Sequence, residues 1–106
     1  MHDTRLNGPA LDEALSGLDG WTLAEDHGHI ARSWTFDSFA TAMAFWSQVA
    51  ALAEQHDHHP ECLSLYTQIR LRLWTHDAGG LTHKDVALAK DIDALILGEF
   101  SNKLKS

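Results

Sequence analysis

Residues 54–85, EQHDHHPECLSLYTQIRLRLWTHDAGGLTHKD, contain the pattern that decides the fold. From Leu63 to Trp74 apolar and polar residues alternate, which is typical of β structure with one buried face. The alternation places six residues on one face: Leu63, Leu65, Thr67, Ile69, Leu71 and Leu73. One long strand fits this pattern, and two strands joined by a tight bend at residues 66–68 fit it equally well. Histidine-rich segments lie on both sides of the β region.

The pattern predicts helices before and after this β region. The first is capped by Asp37 or Ser38 and ends near Gln55, because Pro60 follows soon after. Its expected buried face consists of Phe39, Met43, Trp46, Ala50 and Ala53. The residues Thr82-x-x-Asp85 form a capping-box pattern, which predicts a last helix that runs to about residue 97 and stops at residue 98. Its expected buried face consists of Leu88, Ala89, Ile92, Leu95 and Ile96.

The N-terminal third predicts a short helix and a β-hairpin. The helix begins at Pro9 and ends before Gly20. Residues 21–25 and 30–36 alternate like strands across a turn at residues 26–28. Arg32 interrupts the apolar face of the second strand, which fits a residue directed at a ligand or an interface. A guanidinium that extends into water fits as well, and we favour this interpretation. The order of elements predicts an α+β fold with an antiparallel sheet covered by helices on one face.

The composition is that of one globular domain. The chain has 106 residues, of which 44% are hydrophobic and 22% are charged. We expect a single domain over residues 1–106, with flexible ends at residues 1–8 and 99–106. Cys62 is the one cysteine, which excludes an intramolecular disulfide and a cysteine-rich zinc module.

The net charge restricts the classes of molecule that the protein is expected to bind. A net charge of −7 disfavours binding to nucleic acid or to an anionic membrane. The first residues lack an apolar signal core, and no stretch approaches the roughly 20 apolar residues of a membrane span. We therefore expect a soluble, cytoplasmic protein. The eight histidines are unusual for this length and indicate acid–base or metal chemistry.

A group of titratable residues stands at the ends of the predicted elements: Glu54, His56, His58, His59, His76 and Asp85. One interpretation is structural, with surface histidines and a capping aspartate. A second is a zinc site, although the spacing His-Glu-x-x-His of many zinc enzymes is absent. The third is general acid–base catalysis by histidines near neutral pH. We favour the third and expect neither a metal nor a cofactor.

The same residues resemble the signature of a known family. Glu54-x-x-x-His58-His59-Pro60, a tyrosine after five residues, His76 after nine more and then Asp85 are similar to the pattern of the pterin-4a-carbinolamine dehydratases. The resemblance extends over about residues 18–97. It implies a four-stranded antiparallel sheet with about three helices packed on one face, assembled as a homodimer or homotetramer. It also favours two strands over residues 62–75.

The resemblance implies a reaction. Members of the family are hydro-lyases that convert 4a-hydroxytetrahydropterin to quinonoid dihydropterin and water, in the recycling of tetrahydropterin used by aromatic amino acid hydroxylases. It implies that His59 and His76 transfer protons and that His58 orients the pterin. Glu54 and Asp85 would orient or tune these imidazoles.

Three further residues are expected beside the substrate: Pro60, Glu61 and Cys62. The chain departs from the family pattern where Cys62 replaces a common tryptophan and Ser64 replaces a common asparagine. An alternative function is a non-enzymatic binding or assembly module of the same fold. The three histidines favour the enzyme.

Overall fold

The computed structural model describes residues 4–105, which form three α-helices and four β-strands. The elements are α1 (Gly8–Leu15), β1 (Thr22–Leu23), β2 (Ile30–Thr35), α2 (Phe39–His56), β3 (Glu61–Leu65), β4 (Gln68–Leu73) and α3 (His83–Leu95). A 3₁₀ turn, His76–Ala78, follows β4, and a π-helical turn, Ile96–Phe100, follows α3. Residues 1–3 and 106, part of the ends that we expected to be flexible, lie outside the described residues.

The four strands form one antiparallel sheet in the order β1-β2-β4-β3. The residues between Leu65 and Gln68 form a two-residue turn, so the two-strand interpretation is correct. Leu63 pairs with Arg70 across the strands, and cross-strand partners share a face of the sheet. The prediction that Leu63 and Leu65 share a face with the buried leucines of β4 was therefore wrong: both are exposed, because the short turn changes the parity.

Helices cover one face of the sheet. Ile69, Leu71 and Leu73 of β4 are completely buried on this helix-covered face, and Ile30 and Trp34 of β2 join them in the core. The other face, called the open face here, carries exposed side chains of β3 and β4. This arrangement confirms the predicted α+β architecture.

The buried face of α2 differs from the predicted one. The buried residues are Ala42, Phe45, Val49 and Ala53, whereas Phe39 is half exposed. Of the predicted face, Ala53 is fully buried. The helix is apolar around most of its circumference, so its periodicity could not select the face that meets the sheet.

Both ends of the described chain pack on the fold. The buried ring of Phe100 lies 5.9 Å from Phe36, between ring centroids, and the N–H of Lys105 donates to the carbonyl of Thr35 at 2.7 Å. The N–H of Leu6 donates to the carbonyl of Leu81 at 2.7 Å. Residues 99–105 therefore contact the sheet, which differs from the frayed tail that the polar sequence suggested.

Arg32 does not extend into water as expected. Its Nη1 donates to Oδ1 of Asp93 on α3 at 2.9 Å, and Nε1 of Trp21 donates to the same oxygen at 2.9 Å. A Cβ at Gly20 would lie 2.4 Å from Cζ of Arg32, so a larger residue at position 20 would displace this guanidinium. Arg32 thus connects the sheet to α3.

Within residues 4–105, none of the helices is both long enough and apolar enough to cross a membrane.

Candidate active site

The end of α2 positions two of the predicted histidines. Asp57 takes the left-handed conformation, with φ of 49°, and its N–H donates to the carbonyls of Ala53 and Glu54. The N–H of His58 then donates to the carbonyl of Ala53 at 3.0 Å. This tight helix end turns His58 and His59 away from the axis of α2 and towards the start of β3.

The end of β4 positions the third histidine. Thr75 forms a bridge with Gly80, in which the N–H of Thr75 donates to the Gly80 carbonyl at 2.9 Å. The loop between them contains the 3₁₀ turn that begins at His76 and closes at Gly79, whose φ of 71° favours glycine. The bridge therefore fixes the loop that carries His76.

These two segments border a cavity of about 360 Å³ that is open to solvent. It is lined by Asp57, His58, His59, Trp74, Thr75, His76, Asp77 and Lys84. The sequence placed three of these histidines in the candidate site, and the fold brings all three to one cavity. The imidazoles of His59 and His76 are exposed, whereas His58 is buried.

A buried carboxylate holds His58. Asp85 is inaccessible to solvent, and its Oδ1 lies 2.5 Å from Nε2 of His58. Its Oδ2 accepts a hydrogen bond from Oγ1 of Thr75 at 2.8 Å and from the N–H of Thr82 at 2.9 Å. Asp85 therefore completes the predicted capping box of α3 and also binds a histidine of the cavity.

An exposed carboxylate holds His59. Oε1 of Glu54, in the last turn of α2, lies 2.6 Å from Nε2 of His59. Both side chains are largely in solvent. Each of the two adjacent histidines thus has a carboxylate on Nε2, one inside the protein and one at its surface.

Three predicted substrate-contacting residues are placed differently. The residues that line the cavity in the described part of the chain do not include Pro60, Glu61 or Cys62. Nε and Nη2 of Arg72 donate to the two oxygens of Glu61 at 2.5 and 2.7 Å, and these hydrogen bonds hold the pKa of Glu61 below its ordinary value. Cys62 is half-buried against the core, opposite Leu71, and this burial raises the pKa of its thiol.

Sequence reasoning missed Thr75 as a site residue. Thr75 continues the buried alternation of Ile69, Leu71 and Leu73, so its side chain enters the helix-covered side of the sheet, where it is buried. A polar residue at the end of a buried apolar alternation is the signal that identifies it. The cavity has four further lining residues that the sequence did not indicate as site residues: Asp57, Trp74, Asp77 and Lys84.

No group of three or more His, Cys, Asp or Glu side chains between residues 4 and 105 is arranged to hold a metal ion.

Comparisons with known proteins agree with this fold. The family model described as pterin 4 alpha carbinolamine dehydratase matches residues 4–95. A relative from Rhizorhabdus wittichii is 47% identical over 91 residues, which cover 82% of this chain and 94% of that protein. A relative from Sinorhizobium medicae is 41% identical over 105 residues and covers 99% of this chain and all of its own length. The names of both provisionally assign a pterin-4-alpha-carbinolamine dehydratase.

Two solved structures are similar. A transcriptional coactivator/pterin dehydratase from Brucella melitensis superposes with a TM-score of 0.82 at 38% identity, covering 87% of this chain and 98% of that one. A pterin dehydratase-like protein identified as a RuBisCO assembly factor of the alpha-carboxysome gives a TM-score of 0.61 at 26% identity, covering 72% and 88%. The family model matches most of this chain, full-length relatives are similar in sequence, and the fold is shared. This chain therefore belongs to the pterin-4a-carbinolamine dehydratase family.

Proposed function

We propose that this protein is a hydro-lyase that converts 4a-hydroxytetrahydropterin to quinonoid dihydropterin and water. A base removes the proton from N5 of the pterin, and the electrons of that N–H bond form the N5=C4a double bond. An acid protonates the 4a-hydroxyl as the C4a–O bond breaks, so one water molecule leaves. The two proton transfers cancel, and the reaction consumes no oxidant or reductant.

The observation that supports this proposal is the meeting of His58, His59 and His76 at one cavity of about 360 Å³. Imidazole titrates near neutral pH, so one ring can accept a proton while another donates one. His59 and His76 are exposed at the cavity and are the proposed proton-transfer groups. His58, held by a buried carboxylate, orients the pterin.

A stopped-flow assay tests the proposal. Enzymatically generated 4a-hydroxytetrahydropterin should disappear faster with the purified protein than without it at neutral pH. His59→Ala and His76→Ala should each lower the turnover, and His83→Ala is the matched control because His83 is exposed and does not line the cavity. If the wild-type rate equals the spontaneous rate, the proposed activity is wrong.

The double variant reports how the two histidines combine. If His59 and His76 act as one acid–base unit, the loss in the double variant is smaller than the product of the single losses. Simple multiplication of the two losses would contradict a shared step. By the same proposal the protein serves a pathway linked to an aromatic amino acid hydroxylase, and its cytoplasmic location stays a prediction.

The edge of the sheet supports the proposal that the protein is a homodimer or homotetramer. β3 is an edge strand, and Leu63, Leu65 and Tyr66 at this edge are exposed large apolar residues. Edge strands with exposed apolar residues favour pairing with another strand. Light scattering should show an oligomer, and Leu65→Lys should weaken it; a monomeric wild type would contradict the proposal.

The same apolar edge would also suit a second function, that of a binding or assembly module. The similarity to the assembly factor of the alpha-carboxysome supports this second function. The two functions predict different outcomes of the stopped-flow assay. A folded wild-type protein without dehydratase activity would favour the assembly module.

A further inference from the structure

Two threonine hydroxyls lie beneath the buried carboxylate of the site. Oγ1 of Thr75 lies 2.8 Å from Oδ2 of Asp85 and 2.7 Å from Oγ1 of Thr82. The N–H of Lys84 donates to Oγ1 of Thr82 at 3.2 Å. Thr75, Thr82 and Asp85 are all buried, so water does not compete for these hydrogen bonds.

The chemistry of these groups fixes the direction of every hydrogen bond. A carboxylate without a proton only accepts, so the hydroxyl hydrogen of Thr75 is donated to Asp85. Each hydroxyl has one hydrogen, so Thr82 must donate to Thr75 and can accept from Lys84. The series of hydrogen bonds therefore starts at the N–H of Lys84 in the first turn of α3, passes through Thr82 and Thr75, and ends on Asp85.

These hydrogen bonds determine which ring nitrogen of His58 faces Asp85 with a hydrogen. With Oδ2 of Asp85 occupied by Thr75 and by the N–H of Thr82, Oδ1 remains as the acceptor for Nε2 of His58. Nε2 must then carry a hydrogen, because an ionised carboxylate only accepts. In the neutral imidazole, Nδ1 is then the ring nitrogen that can accept a hydrogen bond from a ligand in the cavity.

Thr75 also connects this series of hydrogen bonds with the second histidine segment. Its main chain forms the bridge to Gly80 that fixes the loop of His76, while its side chain donates to Asp85. One residue thus contacts both of the structures that position cavity histidines.

We propose that Thr75 is a positioning residue, whose hydroxyl fixes the rotamer of Asp85 and thereby the Nε2–H tautomer of His58. The catalytic consequence of this role rests on the proposed dehydratase function, whereas the tautomer itself does not. Valine has nearly the shape of threonine but cannot donate a hydrogen bond. In Thr75→Val the N–H of Thr82 still donates to Oδ2, but the second donor is lost. The carboxylate should therefore be held less firmly, and His58 should populate both neutral tautomers.

Long-range ¹H–¹⁵N correlation spectra of the imidazole rings test the tautomer without substrate. With His58 assigned from the spectrum of His58→Gln, the wild-type protein should show the Nε2–H tautomer, and Thr75→Val a mixture. Thr75→Ser, which restores the hydroxyl, should return the wild-type spectrum. Thr35→Val on β2 is the matched control, because Thr35 lies outside the cavity.

Two results would overturn the proposal. One is a wild-type His58 in the Nδ1–H tautomer, which needs no variant to observe. The other is a folded Thr75→Val protein with the wild-type spectrum of His58. Both remain informative if the protein lacks dehydratase activity.

Kinetics adds a second measurement where the wild type is active. Thr75→Val should lower kcat/KM about 10- to 100-fold, the range expected when a site group is slightly misplaced, and Thr75→Ser should restore it. In a His58→Ala background Thr75→Val should have little further effect, because Thr75 acts through His58. An active wild type with an equally active Thr75→Val variant would contradict the proposal and leave the dehydratase function standing.

Discussion

The two adjacent histidines of the site have the same kind of partner in opposite surroundings. Nε2 of His58 lies 2.5 Å from Asp85, and Nε2 of His59 lies 2.6 Å from Glu54. The exposed fractions of the side chains are 10% and 0% in the first pair, but 60% and 77% in the second. Nearly equal distances therefore describe a fixed pair inside the protein and an adaptable pair at its surface.

Burial, and not distance, therefore determines how much each pair contributes to stability. In the buried pair, removal of one partner leaves the facing atom of the other, Nε2 of His58 or Oδ1 of Asp85, without its hydrogen-bond partner in a medium of low dielectric constant. In the exposed pair, water replaces the lost partner, and the pair contributes little to stability. We expect the His58–Asp85 pair to serve the architecture of the site and the His59–Glu54 pair to serve proton exchange.

Removal of the buried carboxylate should lower stability far more than removal of the exposed one. Asp85→Ala removes the partner of His58, the acceptor of Thr75 and half of the capping box, and should lower the free energy of unfolding by about 3–5 kcal/mol. Glu54→Ala should lower it by less than about 0.5 kcal/mol. Urea unfolding of both variants measures the contrast, and similar losses would show that burial does not distinguish the pairs.

The second prediction separates the two histidines by activity. His59→Ala should lower turnover about 10²–10⁴-fold, the usual contribution of an acid–base group, while the melting temperature stays unchanged because the side chain is exposed. His58→Ala should lower turnover and melting temperature together. Steady-state kinetics and thermal unfolding on the same samples test this, and wild-type turnover in His59→Ala would remove His59 from the proton-transfer set.

Cys62 lies between the two extremes of burial. It faces the helix-covered side of β3 and packs against the core, so Cys62→Trp should overpack it and cost about 1–3 kcal/mol of stability. The KM for the pterin should stay unchanged, because Cys62 does not line the cavity. Ser64→Trp is the control, since Ser64 is exposed on the same strand. A lower KM in Cys62→Trp with unchanged stability would place this residue beside the substrate.

The smallest expected effect concerns the exposed Glu61–Arg72 pair. Arg72 lowers the pKa of Glu61 from its ordinary value of 4.5, so the ionised form is favoured in the folded chain. The stabilisation is present above pH 4.5 and is lost as the pH falls through the lower pKa of the folded state. Glu61→Gln should therefore be slightly less stable than the wild type at pH 7, and the gap should close in acid and shrink in high salt. A gap that persists in acid would exclude this ion pair as its cause.

Patterns within short segments were predictable for physical reasons. The capping box at Thr82 and Asp85 was found from spacing, since a helix start needs acceptors for its free N–H groups. The antiparallel sheet with helices on one face followed from alternation and the order of elements. Three predictions on orientation were wrong. The face of Leu63 and Leu65 depends on turn length, and α2 is apolar on several sides. Arg32 binds Asp93 of α3, which is distant in the sequence.

Residue type and local spacing were sufficient to predict the class of fold, the helix caps and six candidate site residues, from which the family resemblance selected three histidines and two carboxylates. Three facts came from the packing of distant segments: which carboxylate is buried, that Arg32 binds Asp93, and that Thr75 donates to Asp85. These contacts join residues between 10 and 61 positions apart. Their geometry depends on how helices and strands pack, and local spacing carries no information about the solvent that packing removes.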